Sequence, residues 1–480
     1  MSKIRSVKFN FIMNFILTAS NFIFPLITFP YVSRILLAGG NGKIAFVTSV
    51  ANYFSMVASL GIPTYGIRAC ASIRDDKEKL SKTVHELIII HSFMTFFSMF
   101  FYFCSIFFVD KFYFEKELMI INGVGLLLNV LGVNWLYSAL EQYGYITIRT
   151  IFFKIVSVVL MFILIHNQSD YIIYGAISVF AAAGSNVLNF INIKKFIYIK
   201  KYDNYEFKKH FKPIMIFFAQ TIAITIYTNL DNVMLGFMKG DIQVGLYSAS
   251  VRVKTMLVSL VTSLGTVLMP RLSYYIQQNK TEQFNQLINE SVNFVLLLSI
   301  SLTCFFVVMA EPSILLLSGD GYIDATLAMQ IIIPSIIFIG LSNITGMQIL
   351  TPLGKENIVL LSVIVGAFID LILNIIFIPI LNAAGASLGT LMAEISVLIV
   401  QLIYLKKLKM NIYDLKNFIK VILSVFISSL LLVTFIYISD VTVFIQLLIG
   451  GFIFFGSEVL LLLVLKEKFI MRQKCLLLHK

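Results

Sequence analysis

The sequence predicts an all-α polytopic membrane protein of about fourteen transmembrane helices with both termini cytoplasmic. Three observations predict it. Of the 480 residues, 59% are hydrophobic and 13% charged, where a soluble domain carries about 25% charged residues. Apolar stretches of ~20 residues, each able to cross a ~30 Å hydrocarbon core, recur from end to end. The basic residues also fall between alternate stretches, as the positive-inside rule requires.

In chain order the spans fall at residues 10–34, 42–62, 84–109, 117–138, 148–166, 171–193, 213–238, 245–269, 291–317, 326–350, 357–379, 384–405, 418–438 and 443–464. Lys3, Arg5 and Lys8 precede the first span, much as in a signal peptide. The run continues to about Tyr31 through Pro25 and Pro30 without a small-x-small cleavage site, so it reads as an uncleaved span. With the N-terminus inside, thirty of the 37 basic residues lie on the cytoplasmic side, mostly in residues 64–83, 194–212 and 406–420 and in the tail. Five lie at outer helix ends (Arg34, Lys43, Lys111, Lys116 and Lys239) and two, Arg252 and Lys254, lie within a span. The loops 64–83 and 194–212 are basic and amphipathic enough to lie at the headgroup surface. The net charge of +12 therefore reports topology and contact with anionic lipids, with no nucleic acid partner. External loops are short and leave no room for an outer catalytic domain.

The opening of the second span, "GNGKIAFVTSVANYFSMVASLG" (40–61), is faintly repeated in the eighth, "VGLYSASVRVKTMLVSLVTSLG" (244–265). Gly42 aligns with Gly245 at an offset of 203, and Gly61 with Gly265 at 204. Two six-helix halves repeated in parallel are a common transporter plan.

Buried ionisable residues mark function in membrane helices. Asp231 and Arg252 each sit seven residues from the outer end of neighbouring spans, ~10 Å below the boundary. They either pair or face a water-filled cavity. Lys254 projects about 200° around the helix from Arg252. One reading has Arg252 or Lys254 binding an anionic group with Asp231 tuning it; the other is a salt bridge joining two helices. Asp370 and Glu394, on the eleventh and twelfth spans, either bind a coupling cation or proton or pair within the bundle. Glu458 reads as structural. Pro25, Pro30, Gly123, Gly125, Gly132, Pro379, Gly385 and Gly389 punctuate the spans with bends and close contacts.

Cys70, Cys104, Cys304 and Cys475 are too scattered for a zinc site or disulfide framework. His85-Glu86 lacks the second histidine of a metalloprotease helix. No phosphate-cradling Gly-rich loop and no nucleophile–base set occurs, so the chain reads as a non-enzyme without cofactor or metal.

Several stretches carry a family resemblance: "GKIAFVTSVANYFSMVASLGIPTYGIRACA", "NWLYSALEQYGYITIRTIFFKI" and "NLDNVMLG…VGLYSASVRV…LMPRLS". Together they resemble the Wzx-type polysaccharide-lipid flippases of the multidrug/oligosaccharidyl-lipid/polysaccharide exporter superfamily. The resemblance implies two pseudo-symmetric six-helix lobes around a cationic cavity, with two C-terminal helices as additions. The lobes would span residues 1–212 and 213–410, with the extra helices and basic tail at 411–480. It implies Arg34, Arg252 and Lys254 as anion-facing residues. Glu141 and Lys154 would form a cytoplasmic-side pair, with Arg149 beside them. The first lobe shows few cations deep in its spans.

The implied substrate is an undecaprenyl-diphosphate-linked oligosaccharide repeat unit of O-antigen, capsule or exopolysaccharide. It would cross the bacterial plasma membrane by alternating access, alongside other polysaccharide-assembly membrane proteins. The alternative is an H⁺- or Na⁺-coupled multidrug antiporter of the same superfamily, using Asp231, Asp370 or Glu394. A membrane polysaccharide polymerase fits less well, because such enzymes need a sizeable external loop.

Overall fold

The computed structural model describes residues 7–278, 280–407, 415–439, 441–467 and 471. Lys3, Arg5, Lys409, Lys468, Arg472, Lys474, Lys480, Cys475 and the boundary expected at residue 410 lie outside the described residues. Among those described, every regular element is a helix, and thirteen helical stretches are long and apolar enough to cross a membrane. The first, Phe9–Ala71, runs for 63 residues and contains both of the first two expected spans. The other twelve coincide with spans three to fourteen. The ninth begins at Thr281 rather than 291, because hydropathy detects only the apolar part of a helix that starts with polar turns.

The chain divides into two compact units, residues 1–245 and 246–480. In the first, α1 (Val7–Ser59) packs on α3 (Lys77–Phe108), α5 (Lys116–Gly132), α7 (Tyr143–Leu164) and α10 (Lys208–Lys239). Short helices α2 (Ile62–Ala71), α4 (Asp110–Phe114), α6 (Asn134–Ala139), α8 (Tyr171–Val179) and α9 (Asn186–Asn192) fill the bends. Helix α11 (Asp241–Gln277) starts in this unit and continues into the second. There α12 (Thr281–Val308), α13 (Ala310–Ser318), α14 (Ala325–Ile332), α15 (Ser335–Asn343), α16 (Glu356–Leu381), α17 (Ala383–Lys407), α18 (Leu415–Ile438) and α19 (Val443–Val464) follow. The tightest pairing is the α16–α17 hairpin, and α18 packs on α12 and α19.

Polarity is inverted relative to a soluble bundle. On α3, Phe93, Phe96, Phe97 and Phe100 are exposed along one face, while Thr95, Ser98 and Tyr102 are buried on the other. Ser98 Oγ donates to the Phe54 carbonyl at 2.7 Å, and Tyr102 Oη to that of Met119 at 2.8 Å. Such an apolar exterior is stable only against lipid, where helices associate through small and hydrogen-bonding residues. This is a multi-pass membrane protein. Cys70, Cys104 and Cys304 are free thiols.

The sequence repeat has a structural counterpart at its start. Leu37 (φ 54°, ψ −175°) bends α1, and Gly240 (φ 86°, ψ 179°) separates α10 from α11. These residues are 203 apart and share one positive-φ, extended-ψ backbone state, which costs a leucine ~1–3 kcal/mol. The two turns also meet reciprocally. A Cβ on Gly42 would lie 1.7 Å from the Asp241 carbonyl oxygen, and one on Gly245 would lie 1.9 Å from that of Ala38. Ala38 and Asp241 are themselves 203 apart, so each turn makes with the other the contact it receives, as in an isologous interface. The equivalence ends before Gly61 and Gly265. Gly61 is a left-handed turn (φ 71°) against the backbone of Phe217 and Phe218, whereas Gly265 lies inside continuous α11.

Candidate functional site

Helix α5 ends where Val133 adopts a left-handed conformation (φ 36°, ψ 34°) and the chain restarts as α6. A π-helical turn, Phe180–Gly184, interrupts the sixth span. These two irregularities bring polar groups together inside the first unit, in keeping with the frequent placement of π-turns at functional sites. Buried Arg149 donates from Nη1 to the Ser185 carbonyl (2.8 Å) and Oγ (3.2 Å), and from Nη2 to Asn134 Oδ1. Asn189 Nδ2 donates to the Gly132 carbonyl freed by the break and to Asn134 Oδ1 at 2.9 Å. Asn134 Nδ2 donates to Asn186 Oδ1, whose amide donates on to Asn129. The chain of amides ends at a small cavity of about 160 Å³ lined in part by Thr48, Asn52, Ser55, Asn122, Asn129 and Ser178. Among the described residues Arg149 is thus a buried cation that meets neutral oxygens and the Tyr145 ring, with no carboxylate partner. Sequence reading missed the asparagines; their signal was Asn186 and Asn189, three apart within an apolar span.

Lys154 follows the same pattern. It lies eleven residues into the 22-residue α7, ~16 Å along its axis. Its Nζ donates to Ser20 Oγ (2.9 Å) and Asn21 Oδ1 (2.6 Å) of α1 and stands 5.6 Å from the Phe24 ring centre. The expected pair with Glu141 does not form. Glu141 precedes α7, so the helix rise separates the two, and its carboxylate binds Arg74 Nη1 at 2.7 Å and Asn10 Nδ2 at 3.4 Å. Glu141 therefore clasps the α6–α7 turn to the start of α1 and the segment before α3. The first unit does hold a cation at mid-span, which a span start placed at residue 148 rather than 143 had concealed.

Arg34 is exposed three residues before the Leu37 bend, and its Nη1 donates to the Pro30 carbonyl at 2.6 Å. Asp231 is buried in the first unit. Its neighbours on α10 fix that helix to α1: Asn229 Oδ1 accepts from Asn52 Nδ2, and Asn232 Nδ2 donates to Ser49 Oγ, both at 3.0 Å. Arg252 and Lys254 are half-buried in the second unit. They follow Tyr247, whose hydroxyl meets Thr390 Oγ1 at 2.9 Å, and Ser250, which donates to the Ala325 carbonyl at 3.1 Å. Asp370 and Asn374 are buried one turn apart on α16. Both face Gly389 of α17, where a Cβ would lie 2.9 Å from Asp370 Oδ1 and 2.4 Å from Asn374 Oδ1. Glu394 is buried further along α17. Glu458 accepts from Ser301 Oγ, tying α19 to α12.

At the lysine-rich end of the first unit, several cations are ion-paired. Glu86 is wholly buried on α3. It accepts from Glu206 N (2.7 Å), His210 Nε2 (2.8 Å) and Lys209 Nζ (3.0 Å). With Nε2 as the donor, His210 Nδ1 accepts from the Tyr65 hydroxyl at 2.7 Å. Lys82 meets Glu206 at 2.6 Å and holds its carboxyl below the usual range. Asp76 caps α3 by accepting from Glu78 N and Lys79 N, and the Lys79 amide in particular keeps its carboxyl low. Sequence reading passed over Glu86 because its partners lie about 120 residues away.

The chain can now be set beside known proteins. It is 24% identical over 419 residues to "Putative O-antigen transporter" of Escherichia coli (strain K12), a match covering 84% of this chain and 98% of that one. It is 25% identical over 222 residues to "Lipid II flippase MurJ" of Bacillus subtilis (strain 168), over 42% and 40% of the two chains. Among solved structures, the inward closed conformation of lipid II flippase MurJ superposes with a TM-score of 0.74 at 17% identity, covering 95% of this chain and 99% of that one. An inward-facing multidrug resistance transporter of the MATE family shares the fold at a TM-score of 0.60 and 12% identity, over 82% and 96%. The MatE family matches residues 216–376. The polysaccharide biosynthesis protein family matches residues 7–276, over half of the chain, and with the flippase-like fold this places the protein as a member of that family.

Proposed function

We propose that the protein flips undecaprenyl-diphosphate-linked oligosaccharide repeat units from the cytoplasmic to the outer leaflet of a bacterial plasma membrane, by alternating access, for surface polysaccharide biosynthesis. The observation that carries this reading is Lys154. A lysine at mid-span costs several kcal/mol, so its presence marks a functional position, and among the described residues hydroxyl, amide and ring groups attend it with no carboxylate. Neutral oxygens satisfy its hydrogen bonds without cancelling its charge, which leaves the field of a cation for a diphosphate. Arg149 adds a second such charge. Arg34 in the first unit and Arg252 and Lys254 in the second are the remaining anion-facing candidates, and Asp231 is a tempering acid in the first unit. A diphosphate bearing a hydrated sugar cannot cross hydrocarbon unaided. The family and the relative with an O-antigen transporter name support the same class of cargo.

The test is a clean deletion in a host without a paralogue. Lipid-linked repeat units should accumulate on the cytoplasmic leaflet and surface polysaccharide should vanish. Normal surface polysaccharide would sink the proposal. In the same reading both termini are cytoplasmic, so a cysteine at position 201 should resist an impermeant reagent added outside.

A second reading, ion-coupled drug export, draws on buried Asp370 and Asn374 facing Gly389. It requires drug-driven H⁺ or Na⁺ flux in proteoliposomes that is lost in Asp370→Asn. The absence of such flux removes it.

A further inference from the structure

A cavity of about 920 Å³ opens at the lysine-rich end of the first unit, apart from Arg149 and Lys154. Its size is at the upper end of ordinary small-ligand sites, which run to ~1,000 Å³. Its lining includes apolar Ile73 and, from α10, Pro213, Ile216 and Phe217. It also includes the cations Arg68, Lys79, Lys82, Lys209 and Lys212, and Glu206 is the sole acid among the lining residues. Lys79, Lys82 and Lys209 are already paired with Asp76, Glu206 and Glu86. Arg68 and Lys212 make no ion pair among the described residues, so two positive charges remain unspent.

This lining is built rather than a chance gathering of surface lysines. Buried Glu86 anchors Lys209, His210 and the backbone of Glu206 from below. Gly66 of α2 lets the helix that carries Arg68 sit on the ring of Trp135, where a Cβ would come within 2.7 Å. An arginine fork and an ammonium in one lining suit phosphate oxygens. The apolar residues of the same lining suit a hydrocarbon stem.

We propose that this cavity binds the phosphate headgroup of a single-stemmed lipid diphosphate and, in the flippase reading on which this rests, is where the diphosphate of the substrate first docks. Arg68 and Lys212 hold the phosphates, and Ile216 and Phe217 hold the first part of the stem. The paired lysines shape the rim and keep it cationic.

The test uses the full-length protein in phosphatidylcholine nanodiscs with farnesyl diphosphate as the probe. Trp135 is the single tryptophan and lies directly under α2, so its emission reports binding. Wild type should bind saturably. The Arg68→Gln/Lys212→Gln double variant should bind at least about tenfold more weakly at an unchanged melting temperature. Lys116→Gln, a cation on the start of α5, should bind as wild type does. Equal binding by the double variant overturns the site. Competition by inorganic pyrophosphate at equal concentration, as strong as the probe's own, overturns the role of the apolar residues. Equal competition by phosphatidylglycerol overturns the diphosphate assignment in favour of general anionic-lipid binding. Binding is read without transport. Intact Arg68- and Lys212-dependent binding, with normal surface polysaccharide in the deletion strain, would therefore sink the substrate assignment alone.

Discussion

Within the first unit, cations are treated in two ways. At the lysine-rich end, Lys82, Lys79 and Lys209 each meet a carboxylate. Inside α7, Arg149 and Lys154 meet amide, hydroxyl and carbonyl oxygens and aromatic rings, and no carboxylate among the described residues. Near water an ion pair sets geometry at little energetic gain, because solvent already screens both charges. Within the span a carboxylate partner would cancel the cation's field, whereas neutral acceptors satisfy its N–H groups and leave that field intact. The contrast teaches that the end charges build shape, whereas the charges inside α7 keep a field that no carboxylate among the described residues cancels.

That comparison can be broken most sharply at Lys154. Lys154→Glu should reduce export of labelled repeat units by about tenfold or more, the worth of one charge-assisted contact of ~1.5–3 kcal/mol, and Lys154→Arg should restore most of it. Equal export by all three proteins would place Lys154 with the structural charges. Next comes Arg149→Leu, which strands the Ser185 carbonyl and half of the Asn134 acceptor. A stability loss of about 1–3 kcal/mol in thermal or denaturant unfolding is expected. An unchanged midpoint would mean that the amide chain holds itself.

At the other end, Glu86→Gln should cost less, about 1–2 kcal/mol, because Lys209 is 41% exposed and retains water. The smallest effect is expected at Glu206→Gln, a slight lowering of the unfolding midpoint that shrinks in high salt. The sign of its pH dependence follows from the lowered carboxyl of Glu206. Stability from the Lys82 contact is present above the unfolded carboxylate value near ~4.3 and is lost as pH falls through the lower folded value. Glu206→Gln should therefore lower stability slightly at neutral pH, match wild type in acid, and so flatten the acid limb of stability against pH. A steeper acid limb in the variant would contradict the assignment.

Much of the architecture was legible without a structure. Hydropathy is a local property, so twelve expected spans reappear as helices in their places. The repeat at an offset of 203 was visible too, but only the folded chain shows that the two turns clasp each other through Gly42 and Gly245. The bend itself falls on Leu37 rather than on Gly39 or Gly40, where a reader of turn residues would put it.

The sequence by itself determined that this chain lives in a membrane, where its helices lie and which family it resembles, because lipid partitioning and family motifs are written residue by residue. Tertiary structure alone decided which charges share a neighbourhood. It took Glu141 from Lys154 and gave it to Arg74, and it closed Glu86 over Lys209 and His210. It also left Arg149 and Lys154 among neutral oxygens. The physical reason is range: a helix reports its own hydrophobicity, but the partner of a buried charge is chosen by packing between segments far apart in the chain.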